Sequence, residues 1–186
     1  MDKTALALVA GVLLVVSSSH AQQATTKDQL LGTWKVVTLT ATSGDKVSHP
    51  LGEQVAGYVS FTPDRVWLLF VDATRKAPAA AALTETEAVA MMKSHVAWTG
   101  TYATAEQTPE GLKVIAHVDA ASSQAITGAD RVYFMRVDGN KLRVKSPGVV
   151  VPMTGATSVV EFDLVKTESG VFLFSRLVCC TLPGGA

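Results

Sequence analysis

The sequence contains few of the residues that covalent frameworks and metal centres require. Its 186 residues include only two cysteines, Cys179 and Cys180, which are adjacent near the C-terminus. A disulfide between sequence neighbours is strained, and no zinc motif has this spacing, so we assign these thiols no redox or metal role. His49, His95 and His117 lie on a predicted loop, helix and strand without metal-ligand spacing. We therefore predict no metal site and no cofactor, with haem bound through one histidine as the alternative.

The sequence also lacks an excess of charge of either sign. Lys plus Arg number 16 and Asp plus Glu number 16, so the formal net charge is +0. Basic residues do not cluster, whereas binding to a phosphate backbone needs a basic face. We therefore expect no nucleic-acid partner. A Gly-x-Ser-x-Gly elbow, a phosphate-binding loop and a dinucleotide-binding fingerprint are absent as well.

One uninterrupted apolar run stands at the N-terminus, from Ala5 to Val16, and it follows Lys3. Ser19 and Ala21 then supply small residues at the −3 and −1 positions of a cleavage site. This pattern predicts a signal peptide over residues 1–21. The run is shorter than the ~20 residues that a transmembrane helix needs, so we expect no stable membrane insertion after cleavage. The protein is predicted to be secreted or periplasmic.

The remainder has the length of one domain. We predict a polar lead over residues 22–29, a barrel domain over 30–168 and a C-terminal tail over 169–186. Alternating apolar and polar residues predict strands at 33–42, 57–62, 66–71, 98–106, 112–120, 130–137, 141–145 and 157–166. Thr84 and Glu87 form a capping box that predicts one short helix over 84–97. Tight turns between most of the strands favour an all-β fold, an eight-stranded antiparallel up-and-down barrel with one short helix.

The first predicted strand begins at Leu31-Gly32-Thr33-Trp34. Gly32 lets the backbone pass close beneath a barrel floor, and Trp34 is a large apolar residue that closes the floor. A Gly-x-Trp sequence at the start of the first strand is typical of small calycin barrels. We therefore predict structural roles for Gly32 and Trp34.

Six motifs follow one another in a characteristic order: Leu31-Gly32-Thr33-Trp34, His49-Pro50-Leu51-Gly52, Gly57-Tyr58-Val59-Ser60-Phe61-Thr62-Pro63, Trp98-Thr99-Gly100-Thr101-Tyr102, the strand of His117, and Gly139-Asn140-Lys141-Leu142. Their order and spacing resemble the bacterial lipocalin-like domain family, calycin-type barrels that are largely uncharacterised. The resemblance covers roughly residues 29–166. It implies a barrel with a pocket and transfers no catalytic residue.

The chain departs from that family in one turn and in one strand. Asp64-Arg65 stands where the family usually has Asp-Gly after the second strand. The last strand contains Val160-Glu161-Phe162-Asp163 where the family typically has Trp-Glu-Arg. In lipocalins a late Arg stacks on the first-strand Trp through a cation–π contact. Here the alternatives are that Arg176 takes this place or that the contact is missing.

Five residues are candidate ligand contacts: Tyr58, Trp98, Tyr102, His117 and Arg131. The three aromatic residues lie beside glycines at or near predicted strand starts, which places them well to line the lumen, and packing in the barrel core is the alternative. His117 is either an acid–base or ligand group, or a surface histidine on a polar strand face. Arg131 is suited to hold a carboxylate, and a surface ion pair with the neighbouring aspartate is the alternative.

These observations predict an exported lipocalin-like protein that binds a small, mainly apolar molecule, and they favour a binding protein over an enzyme. A barrel cyclase or isomerase, which works mainly by positioning its substrate, is the first alternative. His117 or Glu161 pointing inward beside Tyr102 would favour that alternative. A filled barrel without a ligand is the second alternative, and it would contain no cavity.

Overall fold

The computed structural model describes residues 24–151 and 154–167. The predicted signal peptide, the predicted tail and both cysteines lie outside this range. The described elements are α1 Lys27–Leu30, β1 Gly32–Ser43, β2 Lys46–Ser48, β3 Val55–Phe61, β4 Arg65–Asp72, α2 Glu85–Lys93, β5 His95–Thr108, β6 Gly111–Ala121, a 3-10 turn Gln124–Ile126, β7 Asp130–Asp138, β8 Lys141–Val150 and β9 Thr157–Lys166. No helix in this part of the chain is both long and apolar enough to cross a membrane.

Eight strands form a closed antiparallel barrel, which confirms the predicted fold class. From β3 to β9 each strand pairs with the next, and β1 pairs with both β3 and β9. The closing pair runs from Trp34 opposite Lys166 to Thr42 opposite Val159. The short β2 pairs with the far end of β1. Closure pairs the outermost strands with each other, so the barrel itself has no free edge.

The predicted helix is present but ends earlier than expected. Thr84 accepts a hydrogen bond from the Glu87 amide at 3.3 Å, and the Glu87 carboxylate accepts one from the Thr84 amide at 2.9 Å. Hydrogen bonds from the Ala79 and Thr84 backbone lower the pKa of Glu87. The helix ends at Lys93 because Val96, which continued the helical spacing, pairs instead with Phe70 of β4. Strand pairing with β4 therefore overrides the local helical pattern.

The barrel interior is apolar because the strands alternate. In β6, Leu112, Val114, Ala116 and Val118 are buried, while the residues between them face outward or are only partly covered. This is the alternation expected of a strand with one buried face. The same pattern in the neighbouring strands produces a single core inside the barrel.

One end of the barrel is closed by the start of the domain. Trp34 is 0% exposed there, and its indole nitrogen donates a hydrogen bond to the Leu30 carbonyl at 2.7 Å. The Lys166 ammonium lies 5.0 Å from the centre of the Trp34 ring. Lys166 thus makes the cation–π contact that the resemblance assigned to a late arginine; Arg176 lies outside the described residues. Gly32 precedes this Trp with a φ of 107°, in the region that favours glycine.

Candidate ligand-binding pocket

The barrel holds a cavity at the end opposite α1 and Trp34. Its volume is about 420 Å³, within the range of small-molecule sites in proteins. The lining comes from the strands and from the segments at their ends: Leu39, Pro50, Leu68, Phe70, Met92, Lys93, His95, Val96, Trp98, Ser122, Ser123, Gln124, Ile126, Arg131, Tyr133, Ser146, Val149, Val150, Val151, Val160 and Phe162. Most of these side chains are aliphatic or aromatic, so the cavity favours an apolar guest.

A connected series of aromatic rings forms part of the cavity wall. Trp98 stacks on Tyr133 with the ring centres 6.1 Å apart and the planes 7° from parallel. Tyr133 meets Phe162 edge to face at 6.3 Å, and Phe162 meets Phe70 in the same way at 5.5 Å. Aromatic pairs in these geometries attract each other beyond their burial of surface. The wall is therefore held in place before any ligand arrives.

Three side chains with basic nitrogen atoms belong to the cavity lining. They are Lys93, His95 and Arg131, and within the described part of the chain no Asp or Glu lines the cavity. Arg131 and Tyr133 stand two residues apart on β7, so both side chains face inward. Burial raises the pKa of the Tyr133 hydroxyl, while the charge and hydrogen bond of Arg131 act in the opposite direction.

His117 lies outside the cavity, on the outer face of the barrel. Its Nδ1 is 2.8 Å from a carboxylate oxygen of Asp130, and the two side chains are 54% and 68% exposed. The outward orientation follows from the burial of Ala116 and Val118 on either side of it. Asp130 therefore pairs with His117 across β6 and β7, and it does not serve as the partner of Arg131.

A family model described as a lipocalin-like domain matches residues 31–165. The chain belongs to the lipocalin-like domain family. No curated protein and no solved structure matches the chain. The family and the closed barrel with its cavity identify this lipocalin-like domain as a barrel of the general ligand-binding type.

Of the aromatic candidates, Trp98 lines the cavity of the lipocalin-like domain, whereas Tyr58 does not. Tyr58 is 43% exposed on the outer face of β3, directly opposite Leu69 of β4. The alternation of β3 explains this position, since Val59 and Phe61 are the buried residues of that strand. A glycine beside an aromatic residue was therefore the wrong criterion for an inward orientation.

Tyr102 is buried, but at the closed end of the barrel. Its hydroxyl donates a hydrogen bond to the Thr62 carbonyl at 2.8 Å, and Lys27 lies 5.0 Å from the centre of its ring. Burial and the nearby carboxylates of Asp64 and Asp28 raise its pKa. The predicted strand began at Trp98, which placed Tyr102 near a strand start. Because β5 begins at His95 and extends to Thr108, Tyr102 lies in its middle, toward the floor.

The sequence analysis missed several residues that line the cavity, of which Tyr133 is the most informative. Its signal was available, because Arg131 and Tyr133 occupy alternate positions in one predicted strand and must share a face. Lys93 and His95 were missed for a different reason, since both lay inside the predicted helix 84–97, whereas α2 ends at Lys93 and β5 begins at His95. In the described residues, no group of three or more His, Cys, Asp or Glu side chains could hold a metal ion.

Proposed function

We propose that this lipocalin-like protein is exported and binds a small, mainly apolar molecule in the open end of its barrel. The observation that supports the proposal is the cavity of about 420 Å³ with its wall of Trp98, Tyr133, Phe162 and Phe70. A preformed apolar cavity binds such a guest without first breaking core contacts, so little of the binding free energy is lost to reorganisation.

The structural signs named for the two alternatives are not found. His117 faces solvent, and Glu161 is exposed on β9, so neither side chain points inward beside Tyr102, the arrangement that would favour the cyclase or isomerase alternative. The filled-barrel alternative required a core without a cavity. These positions support ligand binding over both alternatives.

The proposal is tested by titrating the protein with the neutral fluorophore phenylnaphthylamine. We expect a dissociation constant in the micromolar range, equivalent to about −8 kcal/mol. The tryptophan emission should be quenched through Trp98, so Trp98→Phe should lose most of the quenching while Trp67→Phe, on the outer face, should keep it.

Two matched valine variants then test where the fluorophore binds. Val160 lines the cavity, whereas Val37 is 52% exposed. Val160→Phe should weaken binding because the larger ring occupies the cavity, and Val37→Phe should leave binding unchanged. If the parent protein binds no neutral fluorophore, or if both variants bind as the parent does, the proposal is wrong.

Export is supported by the leader pattern, and the first described contact of the domain lies beyond the predicted cleavage site. The Thr25 hydroxyl is buried and accepts a hydrogen bond from the Val137 amide at 2.9 Å. Cleavage after Ala21 would leave this contact in place. We expect the protein recovered from the periplasm or medium to begin at Gln22 by mass spectrometry. Recovery of the uncleaved chain from the cytoplasm of its own host would refute export.

A further inference from the structure

Among the described residues, Arg131 is the arginine that lines the cavity, and none of the described ion pairs includes it. Arg131 is half-buried among the lining residues, and among the described residues no carboxylate is within ion-pair distance of it. A cation beside apolar surface loses hydration, and a paired anion compensates for that loss. Asp130, the nearest acidic residue in sequence, is on the other face of β7 and pairs with His117.

The groups around Arg131 also favour an anion. Tyr133 stands on the same inward face, and its hydroxyl is within hydrogen-bonding reach of the guanidinium. Trp98 stacks on the Tyr133 ring and holds it in position. Lys93 and His95 add positive or neutral groups to the same lining, and no acidic residue in the described chain opposes them there.

The position of Arg131 along the strand indicates how a ligand would lie. It is the second residue of β7, and the preceding segment with Ser123 and Gln124 lines the cavity too. Apolar residues such as Leu68 and Phe162 line the rest of the cavity. A ligand whose charged group lies at Arg131 would therefore place its apolar part in the rest of the cavity.

We propose that the ligand is a single-chain amphiphile whose carboxylate is held by Arg131 and the Tyr133 hydroxyl, with its apolar chain against Trp98 and Phe162. This proposal rests on the proposed function and specifies the class of ligand. A guanidinium presents a planar pair of donors that matches a carboxylate. A single guanidinium balances the single charge of a carboxylate, whereas a doubly charged phosphate monoester would also need Lys93 or His95, the other basic side chains of the lining.

The test compares decanoic acid, decanol and decyl phosphate as competitors of bound phenylnaphthylamine. Decanoate should displace the fluorophore at a concentration about 10- to 100-fold lower than decanol, as expected for hydrogen bonds to a charged group. Arg131→Met should remove this advantage, because it should weaken decanoate binding more than decanol binding. Arg143→Met is the matched control, since Arg143 is 70% exposed and pairs with Asp163 on the outer face.

Two further variants separate charge from geometry. Arg131→Lys keeps the charge without the planar donor pair, so it should restore only part of the preference for decanoate. Tyr133→Phe keeps the ring on Trp98 and removes the hydroxyl, so it should weaken decanoate binding by a smaller factor than Arg131→Met. A circular dichroism spectrum like that of the parent would show that each variant is folded.

The outcomes distinguish this proposal from the proposed function. If decanoate and decanol compete equally well and Arg131→Met changes neither, the cavity binds apolar molecules but the carboxylate assignment is wrong. If decyl phosphate competes better than decanoate through Arg131, the head group is a phosphate and the assignment is also wrong. If the fluorophore itself does not bind, the proposed function fails first.

Discussion

Replacing Trp34 by alanine tests how the closed end of the barrel is stabilised. The indole is fully buried, it donates a hydrogen bond to the Leu30 carbonyl, and it receives the Lys166 ammonium on its face. The substitution removes all three interactions at once. It also opens a cavity between the barrel interior and α1, since Leu30 of that helix is buried next to the ring.

The expected loss follows from these contacts. Truncating a buried Phe or Trp to Ala costs about 3–5 kcal/mol of the free energy of unfolding. The hydrogen bond to the Leu30 carbonyl accounts for about 1 kcal/mol of such a loss. The cation–π contact with the exposed Lys166 accounts for about 0.5–1 kcal/mol. Trp34→Phe keeps an aromatic ring but not the donor, so it should cost clearly less than Trp34→Ala.

Urea unfolding followed by circular dichroism measures these differences. Trp67→Ala provides the matched control, because Trp67 is 43% exposed on the outer face of β4 and should cost less than about 1 kcal/mol. A double-mutant cycle with Lys166→Met isolates the cation–π contact. If Trp34→Ala costs under about 1 kcal/mol, the view that Trp34 stabilises the closed end is refuted.

Three further predictions concern other parts of the fold. Gly57→Ala should lower the free energy of unfolding by more than ~3 kcal/mol, since a Cβ there would lie 1.9 Å from the Leu69 carbonyl oxygen at a φ of +141°. Gly139→Ala has open space around it and should cost ~1–2 kcal/mol in the same urea assay. Equal losses would contradict the steric argument. Thr84→Ala removes the N-cap of α2, so it should speed hydrogen exchange of the α2 amides. The urea midpoint should stay unchanged because α2 has no buried residue, and a lowered midpoint would show that the helix belongs to the core. Because burial raises the pKa of Tyr133, the unfolded chain loses the Tyr133 hydroxyl proton at a lower pH than the folded protein does. The free energy of unfolding should therefore fall as pH rises above 10.0. Tyr133→Phe should reduce that fall, and an unchanged pH profile in the variant would contradict the contribution of Tyr133.

The barrel could be predicted from the sequence because its signals are local. Alternation of apolar residues marks each strand, and the predicted strand 157–166 coincides with β9 Thr157–Lys166. The helix end could not be predicted in this way, since the pairing of Val96 with Phe70 depends on a strand elsewhere in the chain. The contact of Lys166 with Trp34 joins the two ends of the domain, and no local pattern encodes it.

The candidate site was predictable only in part for a related reason. Trp98 and Arg131 line the cavity, because the inward face of a strand follows from alternation once its neighbours are known. Tyr102 also faces inward, but its height in the barrel depends on where β5 begins. That height decides whether a residue reaches the cavity or the floor, and it is set by the register with neighbouring strands. Alternation gives the face of a residue and leaves its depth undetermined.

The pairing of β1 with β9 has a consequence for how this protein folds. Its partners, such as Trp34 and Lys166, come from opposite ends of the domain, so the barrel closes only after nearly the whole domain is present. Contacts between residues so distant in sequence slow folding, because the loss of chain entropy precedes the gain from pairing. Until β9 pairs with β1, that edge of β1 presents unpaired backbone amides, which can pair with a strand of another chain. A chain truncated before Thr157 should therefore aggregate rather than form a smaller barrel.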